Sequence, residues 1–319
     1  MDKTILWTVF LVLIIQNVIA QNCKREPKCQ ISRVHGMKSA DCFNKNFRSF
    51  PQCITSDVQV LDLSQNRIRK LDKNDLKRYQ YLKLLYLNDN VIVQIHEDAF
   101  EGLNDLTSLD LSLNALNKVP PLVFQLPNLK TLYLGHNMNI NIADSLESSK
   151  SISSPLANLD LSFISDGIPA VFPDFGNLPL LFQLNISGTE FENMSPSHFA
   201  GLCNLKYLHN ENTTTEFFES CDCIKINKWL KDRKVEFKPF VCGSNLFECE
   251  TDISEEDLQK YDQCKIVAEK YVRTIKINRG LIYAGIVAGI FVVCVALYFI
   301  YKKTNRIKPK KAKENNLLL

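Results

Sequence analysis

The feature that most constrains this chain is a leucine signature recurring at nearly fixed spacing between Val58 and Phe218. Two copies read Leu82-x-x-Leu85-x-Leu87-x-x-Asn90 and Leu106-x-x-Leu109-x-Leu111-x-x-Asn114. The first apolar positions of successive copies are Val58, Leu82, Leu106, Leu129, Leu156, Leu181 and Leu205, in steps of 24, 24, 23, 27, 25 and 24 residues. A period of this length means stacked supersecondary units, each unable to bury its apolar face without a neighbour. Within each copy the x-Leu-x-Leu core alternates with period two, so short strands stack as a parallel sheet.

The signature resembles the leucine-rich repeat. That resemblance implies an α/β solenoid, a leucine-rich repeat horseshoe of about seven repeats over residues 58–218 with a parallel concave sheet. Asn66, Asn90, Asn114 and Asn137 fall in the turn after each strand, where their amides can satisfy backbone groups that a buried turn leaves without partners. Phe100, Phe124 and Phe199 recur late in the repeat and are expected in the core. The pattern breaks midway. Ile164, Thr189 and Thr213 replace the asparagine, and the longest repeat carries an insert from Asn139 to Pro155 containing Ser145, Ser148, Ser149, Ser151, Ser153 and Ser154. Insertions in solenoids go to loops on one face.

The ends set the topology. Residues 1–20 hold Lys3, an apolar run from Ile5 to Ile19 and the small residue Ala20, the layout of a secretory signal peptide. Residues 280–301 contain no charge and match the roughly 20 residues a transmembrane helix needs. Residues 266–279 form a juxtamembrane linker, and residues 302–319 a basic cytoplasmic tail with Lys302, Lys303, Arg306, Lys308, Lys310, Lys311 and Lys313. Of the chain's net charge of +3, this tail carries +6, so the remainder is −3. A net-negative remainder with no basic reading module argues against nucleic acid as a partner. The expected location is the plasma membrane, single-pass type I, with the N-terminus extracellular. Gly285 and Gly289 have the spacing that lets two membrane helices approach, which points to a homodimer through the transmembrane helix.

Eleven cysteines fit an oxidising compartment. Cys294 lies in the apolar helix, and the other ten are outside it. Cys23, Cys29, Cys42 and Cys53 lie in residues 21–57, read as an N-terminal cap, and are expected to pair among themselves. Four cysteines allow three connectivities. Residues 219–265 resemble the cysteine-rich C-terminal cap of animal extracellular leucine-rich proteins through Cys221-Asp222-Cys223, Trp229-Leu230, Phe240-Val241-Cys242 and Cys264. That resemblance implies Cys221 bonded to Cys242 and Cys223 to Cys264. Cys249 has no counterpart in the cap pattern, and Cys203 is its remaining partner. Asn185, Asn193 and Asn212 head acceptor sequons for N-glycans. Asn185 falls on an outward strand position, where a glycan would cover part of the concave sheet.

No nucleophile elbow, phosphate loop or metal-protease motif occurs, so neither enzyme activity nor a cofactor or metal is expected. His35, His96, His136, His198 and His209 are scattered through different repeats and caps. Recognition is expected on the concave sheet, where Asp62, Tyr86, Asp110, Tyr133 and Asp160 take the fifth position of successive repeats and Leu84 a third position. Tyr86 and Tyr133 with Leu84 suit partner anchors, since tyrosine supplies contact area at low entropic cost. The carboxylates between them suit a polar or basic ligand surface. Caps, repeats and membrane span together resemble a Toll-like receptor ectodomain. The 18 residues after Tyr301 are too few for a Toll/interleukin-1 receptor signalling domain. The resemblance implies an accessory or decoy receptor that binds an extracellular protein or microbial ligand, in innate immune or developmental signalling, with a signalling co-receptor. The alternative is a cell-adhesion or matrix-contact leucine-rich transmembrane protein.

Overall fold

A computed structural model describes residues 27–138, 140–147, 152–219, 221–243 and 249–306. The signal peptide, Cys23, part of the serine-rich insert and residues 307–319 lie outside the described residues. Among the described residues fourteen strands are formed: β1 (Gln30–Val34), β2 (Met37–Asp41), β3 (Val60–Asp62), β4 (Lys70–Leu71), β5 (Leu84–Tyr86), β6 (Gln94–Ile95), β7 (Ser108–Asp110), β8 (Thr131–Tyr133), β9 (Asn158–Asp160), β10 (Ala170–Val171), β11 (Gln183–Asn185), β12 (Glu190–Met194), β13 (Tyr207–His209) and β14 (Thr214–Phe217). Nine of them make one sheet in the order β1-β2-β3-β5-β7-β8-β9-β11-β13. Only the β1–β2 hairpin is antiparallel, and from β2 onward each strand pairs in parallel with the next.

The fold is a β-solenoid of about seven leucine-rich turns. This is the expected leucine-rich repeat solenoid with its parallel sheet and disulfide-bonded caps, and the wall opposite the sheet holds little helix. That wall has turns, a 3-10 helix at Pro121–Gln125, and the short helices α1 (Ile142–Glu147) and α2 (Ser197–Ala200). A step of about 24 residues leaves too little chain, after a strand and its buried turn, for a long return helix. Leu61, Leu85, Leu109, Leu132, Leu159, Leu184 and Leu208, the middle residue of each strand, point into one continuous core. Each such burial contributes about 1.5–3 kcal/mol. Phe100, Phe124 and Phe199 lie in the same core, as the spacing requires.

The asparagine turns behave as expected. Asn90 Nδ2 donates to the carbonyls of Leu63, Leu87 and Asn88, while its Oδ1 accepts the Ile68 N–H, so one side chain ties two repeats together. Asn66, Asn114 and Asn137 do the same at their turns. Past Asn137 the pattern continues in reduced form. The Thr189 hydroxyl donates to the Leu161 carbonyl and accepts the Ile164 N–H, and the Thr213 hydroxyl donates to the Ile186 carbonyl. Outside the main sheet the earlier repeats pair two short strands, β4 with β6, and the later repeats pair three, in the order β10-β12-β14.

The caps close both ends of the array. Cys29 is bonded to Cys42, and Cys53 is also in a disulfide. At the other end the helix α3 (Asp222–Asp232) buries Cys223, Ile226, Trp229 and Leu230. All three pairings expected here are corrected. Cys203 is bonded to Cys264, Cys221 to Cys249 and Cys223 to Cys242. The cause is positional: α3 turns Cys223 inward toward the Phe240–Cys242 segment, where Asn227 also bonds the Phe240 backbone in both directions. Cys264 is on the helix α4 (Glu255–Arg306) and faces the last repeat, with its Sγ beside the Cys203 N–H and the Gly201 carbonyl. Cys249 is left to reach Cys221, with Cα atoms 5.5 Å apart. Within this cap the Arg233 guanidinium stacks between the Trp229 and Tyr261 rings.

Residues up to Ile266 make one compact unit and those from Val267 a second. The linker residues 266–279 are helical, as part of α4. Among the described residues of the second unit one stretch, Gly280–Lys303, is long and apolar enough to cross a membrane, with mean hydropathy 2.6. Cys294, within that stretch, is a free thiol.

Candidate functional site

The sheet face is built by register. Asp62 pairs with Tyr86, Tyr86 with Asp110, Asp110 with Tyr133, Tyr133 with Asp160, Asp160 with Asn185 and Asn185 with His209. Adjacent strands lie about 4.8 Å apart, so these side chains form one row across seven strands. A second row, one pleat away, runs Val60, Leu84, Ser108, Thr131, Asn158, Gln183 and Tyr207. The structure therefore brings Asp62, Leu84, Tyr86, Asp110, Tyr133 and Asp160 together on one surface. Tyr133 is the most open of the six, at 37% exposure, and Val60 at the edge of the second row is buried.

The carboxylates have a local task as well. Asp62, Asp110 and Asp160 each accept, through Oδ1, the backbone N–H of the serine two residues on, Ser64, Ser112 or Ser162. Asn185 does the same for Ser187. These Asx turns lead the chain out of each strand. The Asp-x-Ser spacing that marks them is visible in the sequence. Gly135 takes the serine's place after Tyr133, and a Cβ there would meet Ser162 Oγ at 2.6 Å and Asp160 Oδ2 at 3.2 Å.

Electrostatically the row acts as one unit. Burial pushes the Asp110 carboxyl above its ordinary value against its bonds to Ser112, and the charges of Asp160 and Asp62 push it further. Burial also raises the Tyr86 phenol, helped by Asp62, Asp110 and Tyr133. The first five strands thus carry three carboxylates with two phenol rings between them. The last two strands differ in kind, since Asn185 and His209 are their fifth-position residues and His209 Nε2 is 2.9 Å from the Gln183 amide.

One surface feature went unseen in the strand pattern. The residue before each ladder position is left-handed: Gln65, Asp89, Leu113, His136, Phe163, Gly188 and Asn212 all have φ between 52° and 64°. In the middle of this row the His136 and Phe163 rings stack at 4.6 Å, and a Cβ at Gly188 would overlap the Phe163 ring. His136 therefore belongs to this turn row and not to the strand face. Aligning the position before each asparagine would have shown Leu113 and Phe163 as apolar residues where other repeats have polar ones or glycine. A cavity of about 230 Å³ lies at the repeat break, lined by Ile140, Ile142, Ile164, Ile168 and Val171. Among the described residues no group of three or more histidine, cysteine, aspartate or glutamate side chains is placed to hold a metal ion.

Residues 56–116 match the leucine rich repeat family model. The chain is similar to podocan from Mus musculus, 27% identical over 227 residues covering 61% of this chain and 34% of podocan. It is similar to Toll-like receptor 2 type-2 from Gallus gallus, 27% identical over 206 residues covering 63% of this chain and 26% of the receptor. Tsukushi from Rattus norvegicus is 28% identical over 238 residues, covering 64% of this chain and 66% of Tsukushi. The chain spans about a third of the length of podocan and of podocan-like protein 1 from Homo sapiens.

Proposed function

We propose that this leucine-rich repeat chain is a single-pass type I cell-surface protein that binds an extracellular protein or microbial ligand, and that it acts as an accessory or decoy receptor. The observation that carries the reading is the row Asp62, Tyr86, Asp110, Tyr133 and Asp160, set side by side by strand register on a sheet whose opposite face is core. Short strands on a rigid solenoid hold these groups in fixed spacing, so little ordering entropy is lost when a partner docks. The phenol rings with Leu84 supply the apolar anchors, and the carboxylates select a partner surface bearing lysine or arginine. The reading is one of binding without chemistry. Its signal passes through a co-receptor in innate immune or developmental signalling, a role supported by the similarity to a Toll-like receptor.

The span Gly280–Lys303 supplies the anchor, the ten cysteines outside it suit an oxidising exterior, and pairing through Gly285 and Gly289 would make the anchored form a homodimer. The experiment is a two-part display on intact cells. An antibody to the repeats should stain unpermeabilised cells expressing the full chain, and the displayed chain should capture a member of a panel of cell-surface ectodomains and microbial products. Co-purification of a signalling receptor from the same cells supports the accessory role, whereas clustering of expressing cells with each other would favour the adhesion alternative. Staining only after permeabilisation would overturn the topology.

A further inference from the structure

We infer that Asn212 carries an N-glycan whose first N-acetylglucosamine fills a cavity against the C-terminal cap, so that the sugar completes the surface there. The inference rests on the extracellular reading above. Asn212-Thr213-Thr214 is an acceptor sequon, and Asn212 is an exposed turn residue with φ 56°. It lines a cavity of about 300 Å³ whose other walls include Thr214, Thr215, Lys238, Pro239 and Val241. Among these Val241 is 92% exposed, an apolar side chain left in solvent beside the buried Phe240.

The cavity is preformed, because its walls are pinned from behind. Asn210 donates to the Lys238 carbonyl at 2.7 Å and accepts the Lys238 N–H at 2.9 Å. Asn227 holds the Phe240 N–H and carbonyl at 2.9 Å each. The Thr213 hydroxyl bonds back to the Ile186 carbonyl and fixes the turn that presents Asn212. The lining is mixed in a way that suits a pyranose. One ring face of the sugar is C–H and packs on Pro239 and Val241, while its hydroxyls and acetamido group find threonine hydroxyls and backbone on the other side. The ligand is delivered by covalent attachment at the rim, so its effective concentration there is high. In the transfer, the Asn212 Nδ2 forms a bond to the anomeric carbon of a lipid-pyrophosphate-linked oligosaccharide. The anomeric C–O bond breaks, the lipid pyrophosphate leaves, and the amide gives up one proton. The other sequons are set differently: Asn185 lies on the strand face with its Oδ1 held by the Ser187 N–H, and Asn193 precedes a proline three residues on.

The test uses the full chain from mammalian cells in mild detergent, digested with peptide-N-glycosidase in oxygen-18 water, folded and then unfolded, with each site read by peptide mass spectrometry. Occupied Asn212 should be released at least about tenfold more slowly from the folded chain than from the unfolded one, since access then requires local opening. Val241→Asp, which spoils the apolar wall and leaves the sequon intact, should restore fast release in the folded chain at unchanged occupancy. Release from folded wild type as fast as from the unfolded chain overturns the proposal, as does slow release that Val241→Asp does not alter. Asn212 unoccupied while Asn185 or Asn193 is modified overturns it alone. No occupied sequon at all overturns it together with the extracellular reading.

Discussion

The repeats through Asn137 and those after it solve the same problem with different groups. In the first set each turn is closed by a buried asparagine, which in Asn90 satisfies three carbonyls and one N–H. In the second set a threonine hydroxyl can donate only once, and Thr189 and Thr213 each satisfy one carbonyl. The later repeats offset this with more extensive strand pairing outside the main sheet, where β10, β12 and β14 bond to one another, against the single β4–β6 pair of the first set. The surfaces diverge as well. The regular part presents Asp62, Tyr86, Asp110 and Tyr133, whereas the later part presents Asp160, Asn185, His209 and an exposed Phe182 that packs on Tyr207.

The largest effect that should separate the two parts is on stability. Asn90→Ala removes four hydrogen bonds from a buried turn, leaves the Ile68 N–H without its partner and should cost about 3 kcal/mol. Denaturant unfolding of the chain in detergent, with disulfides intact, measures it. An effect no larger than at a threonine turn would erase the distinction drawn here. Next comes binding: Tyr86→Ala or Tyr133→Ala should weaken a captured ligand by about 2 kcal/mol, roughly thirtyfold, with the unfolding midpoint little changed. Thr189→Val keeps the shape, loses two hydrogen bonds and should cost about 1–2 kcal/mol, less than the asparagine change.

The smallest effect concerns pH. The Asp110 carboxyl is raised in the fold from its ordinary value of 3.8, so the folded chain holds that proton more tightly than the unfolded one. Its contribution to stability is full below the unfolded value and is lost as pH rises through the raised one. Asp110→Asn should therefore flatten the stability profile just above pH 3.8, while the amide oxygen still accepts the Ser112 N–H. A profile that stays parallel to wild type would contradict a raised Asp110 carboxyl.

Much of this was legible in the sequence because the repeat is local. Leu85, Leu109 and their equivalents follow period two, and Asn66, Asn90, Asn114 and Asn137 follow the strand at a fixed offset, so strands, turns and the face of Asp62 to Asp160 can be read by counting. The disulfides could not be read that way. Which of Cys203, Cys221, Cys223, Cys242, Cys249 and Cys264 meet depends on how α3 and the start of α4 pack on the last repeat, a contact of 61 residues' separation in the case of Cys203 and Cys264. The β10-β12-β14 sheet and the His136–Phe163 stack were hidden for a related reason, since both arise between neighbouring repeats where the leucine pattern is silent. The role of Asp62, Asp110 and Asp160 in strand-exit turns was available from their Asp-x-Ser spacing, and it makes each carboxylate both a turn cap and a surface charge.

The central claim is that recognition resides in the regular repeats. The most direct measurement is the affinity of a captured ligand for three forms of the displayed chain: wild type, Tyr86→Ala with Tyr133→Ala, and Tyr207→Ala with His209→Ala. The account predicts that the first pair of substitutions abolishes measurable capture and that the second leaves affinity within about twofold, a difference well under 1 kcal/mol. Full binding by the Tyr86→Ala, Tyr133→Ala chain, with loss in the Tyr207→Ala, His209→Ala chain, would contradict it.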